Sequence, residues 1–175
     1  FNGSTSTKWG AQRARHGHPK PYGVKYIEIG NEETLFEFDT YAAYDYYIER
    51  FNLLSEAMRA VDPSLKFIHS AWWRPEMPEK MREVFLALDG KADYWDYHPW
   101  TDDIASARNV EGELRRMERM FKQWNPSTTM RCAIFEENGS SHGVRRMLAH
   151  VIVQNAVRRM GDFVLCTCPA NALEP

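Results

Sequence analysis

A chain of 175 residues that is 43% hydrophobic is long enough for one domain with a sizeable core. A formal net charge of -2 and a pI near 6.3 remove the electrostatic case for a nucleic-acid or anionic-membrane partner. No apolar run is long enough to span a bilayer. The three cysteines, Cys132, Cys166 and Cys168, give neither a disulfide framework nor zinc-knuckle spacing, so they read as small apolar strand residues.

Residues 1–24 carry glycine and proline at a density that reads as loop. An apolar strand follows over 24–29. Tyr44, Tyr47, Ile48, Phe51, Leu54 and Met58 recur at spacings of three and four, which predicts a helix over 40–61, stopped by Asp62-Pro63. A strand is expected over 65–71, and a helix over 78–88 with Pro78 at its start. Next come a strand over 92–97 and a long helix over 104–124 ended by Asn125-Pro126. A strand over 130–135, a helix over 144–160 and a last strand over 163–167 complete the chain. Five short apolar strands separated by four helices predict a parallel α/β sheet. Two architectures fit: an open doubly wound sheet or part of a (β/α)8 TIM barrel. No glycine-rich phosphate loop follows any strand, which favours the barrel. A full barrel takes about 250 residues, so roughly five of its eight units are expected here.

Both architectures bind ligands at the C-terminal ends of their strands. Those ends read Ile29-Gly30-Asn31-Glu32-Glu33, Ser70-Ala71-Trp72-Trp73-Arg74, Asp96-Tyr97-His98-Pro99-Trp100 and Phe135-Glu136-Glu137-Asn138-Gly139. Carboxylates at two of these ends, facing one pocket, are what glycosidic bond cleavage requires: one protonated acid and one ionised partner. A Glu-Glu pair alone also occurs at solvent-facing helix starts, where the dipole favours it. The second acid pair three βα units later gives the hydrolytic reading its weight. His16 and His18 with Glu28 form an imaginable metal set. A His-x-His in a Pro/Gly loop is more often structural, and hydrolysis by two carboxylates needs no metal or other cofactor.

Taken together, Trp9-Gly10 with Arg13-Ala14, Gly17-His18-Pro19, Lys25-Tyr26-Ile27-Glu28-Ile29-Gly30-Asn31-Glu32, Ala92-Asp93-Tyr94-Trp95-Asp96-Tyr97-His98 and Phe135-Glu136-Glu137-Asn138-Gly139 resemble the catalytic barrel of family 51 α-L-arabinofuranosidases. These belong to a clan of (β/α)8 retaining glycosidases. The resemblance implies that the strand ending at Glu32 is the fourth of the barrel and the one ending at Glu136-Glu137 the seventh. The chain is then strands four to eight: 1–175 would be the C-terminal part of one catalytic domain. The first three strands and the appended β-sandwich lie elsewhere.

By the same resemblance Glu32 is the general acid/base and Glu137 the nucleophile, with Glu136 the alternative. Asn31, His98, Trp100 and Trp72 are expected to contact substrate. Trp72 and Trp73 are adjacent, so only one can face the cleft. His142 is a further residue for the rim. The family's sixth strand ends His-x-Tyr, with the Tyr hydroxyl steadying the nucleophile; this chain has His98-Pro99-Trp100 instead, which removes that hydroxyl. The implied activity is release of terminal α-L-arabinofuranosyl residues from plant polysaccharide by double displacement. Alternatives are another retaining glycosidase of the clan, such as a xylosidase or glucanase, or a non-catalytic carbohydrate-binding or inert fragment. The expected partners are a carbohydrate substrate and the rest of the barrel or a second copy; a polysaccharide substrate favours export. Alone, an open half barrel would expose an apolar inner face and two edge strands, and would be inactive.

Overall fold

A computed structural model of the chain describes residues 1–37, 39–140 and 143–170. Its elements are α1 (Lys8–Arg15), β1 (Tyr26–Glu33), α2 (Thr40–Val61), β2 (Lys66–Ala71), α3 (Pro78–Leu88), β3 (Tyr94–Asp96), α4 (Ile104–Trp124), β4 (Arg131–Glu137), α5 (Val144–Arg159), a 3-10 turn (Gly161–Phe163) and β5 (Val164–Pro169). All four expected helices form. α2 is capped by the Asp39 side chain and α4 by an Asp103–Ser106 capping box. The helix α1 departs from the expected loop. It occupies the one proline-free stretch of the first segment, and the Thr7 hydroxyl caps it by accepting from the Gly10 N–H at 3.1 Å.

The five strands are parallel and lie in the order β1-β2-β3-β4-β5. That order separates the two candidate architectures. A doubly wound sheet reverses strand order at a switch point, whereas a barrel adds each strand beside the last. The structure is therefore a partial (β/α)8 barrel. Its outer face packs on α2 to α5 through Phe67, Trp95, Cys132 and Ile134, against Tyr47, Phe51, Phe85 and Phe121 among others.

The inner face carries a separate small cluster of Ile68, Tyr94 and Ala133, with Phe135 and Leu165 against it. It is less open than the sequence leads one to expect: Ile68 and Ala133 are fully buried and Tyr94 is 4% exposed. Arg131 covers the Tyr94 ring and donates to its hydroxyl at 2.5 Å, while Tyr26 meets the same ring edge-on. Among the described residues no helix is long and apolar enough to cross a membrane.

Candidate active site

The strand β1 does not simply end at its carboxylates; it breaks. Pairing with β2 runs in register to Ile29↔His69, then shifts and resumes at Glu33↔Ala71. Gly30 sits at φ +95 and Glu32 at φ +47. A Cβ at Gly30 would lie 2.6 Å from Glu33 Cγ and from Ser70 Oγ, so only glycine fits this turn. The break frees backbone groups that a regular ladder would pair, and Tyr47 of α2 satisfies them. Its buried hydroxyl donates to Ile29 O at 2.8 Å and accepts from the Ser70 N–H at 2.8 Å. Glu33 is held outward by Arg50. Glu32 is thereby turned over the inner side of the sheet, where its Oε1 lies 2.9 Å from His98 Nδ1.

Asp96 and His98 are two residues apart at the end of β3. His98 Nε2 lies 2.6 Å from Asp96 Oδ2, and Asp96 Oδ1 accepts from the Phe135 N–H at 2.8 Å, tying β3 to β4. Burial alone would lower the His98 pKa. The hydrogen bond and charge of Asp96, the hydrogen bond to Glu32 and the charge of Glu136 outweigh it and raise the value to about 9. His98 is thus an imidazolium at neutral pH, with an N–H for each carboxylate. Below it, burial and then Asp96 push the Glu28 carboxyl up to about 8, so Glu28 is protonated at neutral pH.

The structure separates the two adjacent glutamates of β4. Glu136 stands on the His98 side, its Oε2 3.9 Å from His98 Nδ1. One side-chain ligand atom from each of Glu32, His98 and Glu136 lies within 4.8 Å of the others. Glu137, the sequence-favoured nucleophile, has no exposed surface and turns toward α5. His150 Nδ1 lies 2.7 Å from its Oε1, and Arg146 donates to its backbone oxygen at 2.9 Å. Because Arg146 Nε also donates to His150 Nε2 at 3.1 Å, a neutral His150 carries its proton on Nδ1. Burial raises the Glu137 pKa, with His150 and Arg146 opposing it. Phe135 packs with the inner cluster, yet Glu136 also turns inward. That parity break coincides with register shifts between β4 and β5 around Ile134. A bulge re-aims a side chain in this way.

The remaining expected contacts divide. Trp72 meets the His98 ring edge-on at 6.2 Å, while Trp73 is buried among Trp95, Phe121 and Trp124. Asn31 is exposed beside Glu32. Trp100 is 55% exposed, and its Nε1 donates to Ser140 Oγ at 3.3 Å. His142 lies outside the described residues. His16 and His18 are exposed near α1, whereas Glu28 groups with Asp96 and His98 on the inner side. Among the described residues, two sets, Glu28/Asp96/His98 and Glu32/His98/Glu136, have spacing that could hold a cation. The second set brings carboxylates from β1 and β4 together at one histidine. Sequence reasoning missed Asp96, Asn138, Arg146 and His150. A charged residue two positions before His98, at the end of β3, was a signal for Asp96; nothing local marked Arg146 or His150, which come from a neighbouring helix.

Comparison with known proteins bears on this geometry. Residues 1–123 match the family described as Alpha-L-arabinofuranosidase 1 domain, a match that includes Glu32 and His98 and ends before β4. The chain is 36% identical over 120 residues to a probable alpha-L-arabinofuranosidase A of Aspergillus awamori, covering 69% of this chain and 16% of that protein. It is 34% identical over 101 residues to alpha-L-arabinofuranosidase 2 of Arabidopsis thaliana, covering 57% and 12% respectively. The chain thus spans less than a fifth of either relative. The thermostable GH51 alpha-L-arabinofuranosidase of Thermotoga petrophila RKU-1 shares the fold at a TM-score of 0.76 and 21% identity, over 98% of this chain and 39% of the solved one.

Proposed function

The chain belongs to the α-L-arabinofuranosidase family, and from that premise we propose that it forms the acid-bearing half of a retaining glycosidase that releases terminal α-L-arabinofuranosyl residues from plant poly- or oligosaccharides. The observation that carries the reading is the convergence of Glu32 and Glu136, from strands three βα units apart, on His98 within 4.8 Å. Retaining enzymes hold their two carboxyl groups about 5–5.5 Å apart, whereas inverting ones leave room for a water.

In this mechanism Glu136 attacks the anomeric carbon while Glu32 donates its proton to the departing oxygen. The glycosidic C–O bond breaks, and an ester bond forms to Glu136. Glu32, now a carboxylate, takes a proton from water, which displaces Glu136 and restores both groups. Glu136 is preferred to Glu137 because it shares the His98 side with Glu32. Glu137 is enclosed by Arg146, His150, Thr101 and Thr167 and has no surface to offer a sugar. The His98 imidazolium between the acids offsets their mutual repulsion. Trp72 and Asn31 bound the space above it. The activity belongs to the protein that carries this chain, because five strands do not enclose a sugar.

The test is hydrolysis of an aryl α-L-arabinofuranoside by that protein, with Glu32→Gln, Glu136→Gln and Glu137→Gln beside it. NMR of the first-formed anomer reads the stereochemistry. Glu32→Gln should lose about 10²- to 10⁴-fold with a poor leaving group. Glu136→Gln should fall to background, and Glu137→Gln should keep a measurable rate. Normal turnover by both Glu32→Gln and Glu136→Gln removes the hydrolase reading; an inactive Glu137→Gln beside an active Glu136→Gln reverses the nucleophile assignment.

A further inference from the structure

An ionised nucleophile in a crowded acidic site needs a hydrogen-bond donor fixed on its carboxylate. The tryptophan at position 100 cannot be that donor, because its single N–H is directed at Ser140 Oγ. The segment after β4, which bridges to Trp100 in parallel, holds a substitute. Asn138 Nδ2 donates to Glu136 Oε1 at 2.9 Å. The amide is oriented by its other end, since Asn138 Oδ1 accepts from the Gly139 N–H at 2.8 Å. Its backbone is fixed across the rim as well: Thr101 N–H donates to Asn138 O at 2.7 Å, and Asn138 N–H donates to Pro99 O at 3.2 Å. Behind it, Arg146 holds the backbone oxygen of Glu137. A Cβ at Gly139 would lie 1.9 Å from Arg146 Nη1, so the turn and the arginine are built to one another.

We propose that Asn138 is the positioning residue of the nucleophile Glu136: its amide supplies the hydrogen bond that Trp100 cannot, holding one carboxylate oxygen while the other faces the sugar. The proposal rests on the arabinofuranosidase reading above. Three other groups act on Glu136. His98 lies 3.9 Å from Oε2, Glu32 lies across the cleft, and Glu28 lies below. His98 alone therefore leaves Oε1 without a donor, and Asn138 fills that place.

The experiment uses the protein carrying this chain and compares wild type with Asn138→Asp and Asn138→Ala on aryl α-L-arabinofuranosides across pH. Asn138→Asp is isosteric and keeps the acceptor for Gly139 N–H, but it offers Glu136 no donor. Asn138→Ala removes the amide without adding charge and covers the case in which the new carboxylate disrupts the loop. Both should lose about tenfold to a hundredfold in kcat/KM. The acid limb of the kcat/KM profile should move to higher pH, because a lost donor disfavours the ionised nucleophile. KM should change less than kcat. If both variants keep kcat/KM within about twofold of wild type, the positioning role is overturned. Lost activity with an unmoved acid limb overturns it too, since a purely structural defect does that. A wild-type protein without arabinofuranosidase activity fails the functional reading first, so the two failures are distinguishable.

Discussion

The hydroxyl of Tyr47 is the pin of the β1 break, and Tyr47→Phe removes that atom alone. Tyr47 is 1% exposed, and its ring packs near Phe51 and His69, so no water replaces the hydroxyl. Ile29 O keeps a second donor, Ser70 Oγ at 3.1 Å, and so does not become an orphan. The Ser70 N–H has no such reserve, because its acceptor is the hydroxyl itself. A buried donor left unpaired costs about 1–3 kcal/mol. At about 2 kcal/mol the Ser70 amide should exchange with solvent roughly 30-fold faster in the variant. Glu32 lies three residues beyond Ile29 at a positive φ that only its surroundings maintain, so kcat should fall about tenfold with KM nearly unchanged. Hydrogen exchange at Ser70 and steady-state kinetics read the two effects. Tyr46→Phe is the control: the same change one position earlier on α2, at a ring that is 63% exposed. Should Ser70 exchange no faster in Tyr47→Phe than in Tyr46→Phe, and kcat stay level, the account of how Glu32 is held is wrong.

Asp96→Asn should bring His98 down from about 9 by roughly a unit or more, because it removes the anion that most opposes burial. An imidazole that still titrates near 9 by NMR contradicts the clamp. The sign of the linked stability follows. The His98 pKa is raised above its unfolded value of 6.5, so its contribution is complete below pH 6.5 and is lost as pH rises through about 9. His69 behaves oppositely. It is fully buried with neither ring nitrogen hydrogen-bonded, and burial lowers its pKa from 6.5 to about 3. The unfolded chain binds this proton first, so stability falls as pH drops below 6.5, by about 2 kcal/mol at pH 5. Denaturant midpoints should show His69→Phe less sensitive than wild type over pH 7 to 5; an equal loss in both refutes the assignment.

The fold was legible where local signals decide it. Asp62-Pro63 and Asn125-Pro126 after periodic runs and Pro78 at a helix start are local, and α2 and α4 stop, and α3 starts, where these residues put them. α1 was hidden because Gly10 lies inside it, Gly17, Pro19 and Pro21 follow it closely, and its cap is one threonine in a run of serines and threonines. The acids obey a different logic. Strand alternation places Glu136 and Glu137 on opposite faces, but it cannot say which is inside, because the count restarts at a register shift that only the neighbouring strand creates. The same holds at Glu32, whose direction depends on Gly30, Ser70 and Tyr47 from three separate elements. Glu28 was visible as a charge within an apolar strand, yet its partner Asp96 comes from β3. Both proposed reacting carboxylates thus stand where the ladder is irregular. A regular strand points its side chains alternately to two faces, whereas two acids meeting above one histidine need their strands to turn inward at the rim. The period that makes the barrel readable must fail where the cleft begins, and Gly30 and the shifted pairing around Ile134 are where it does.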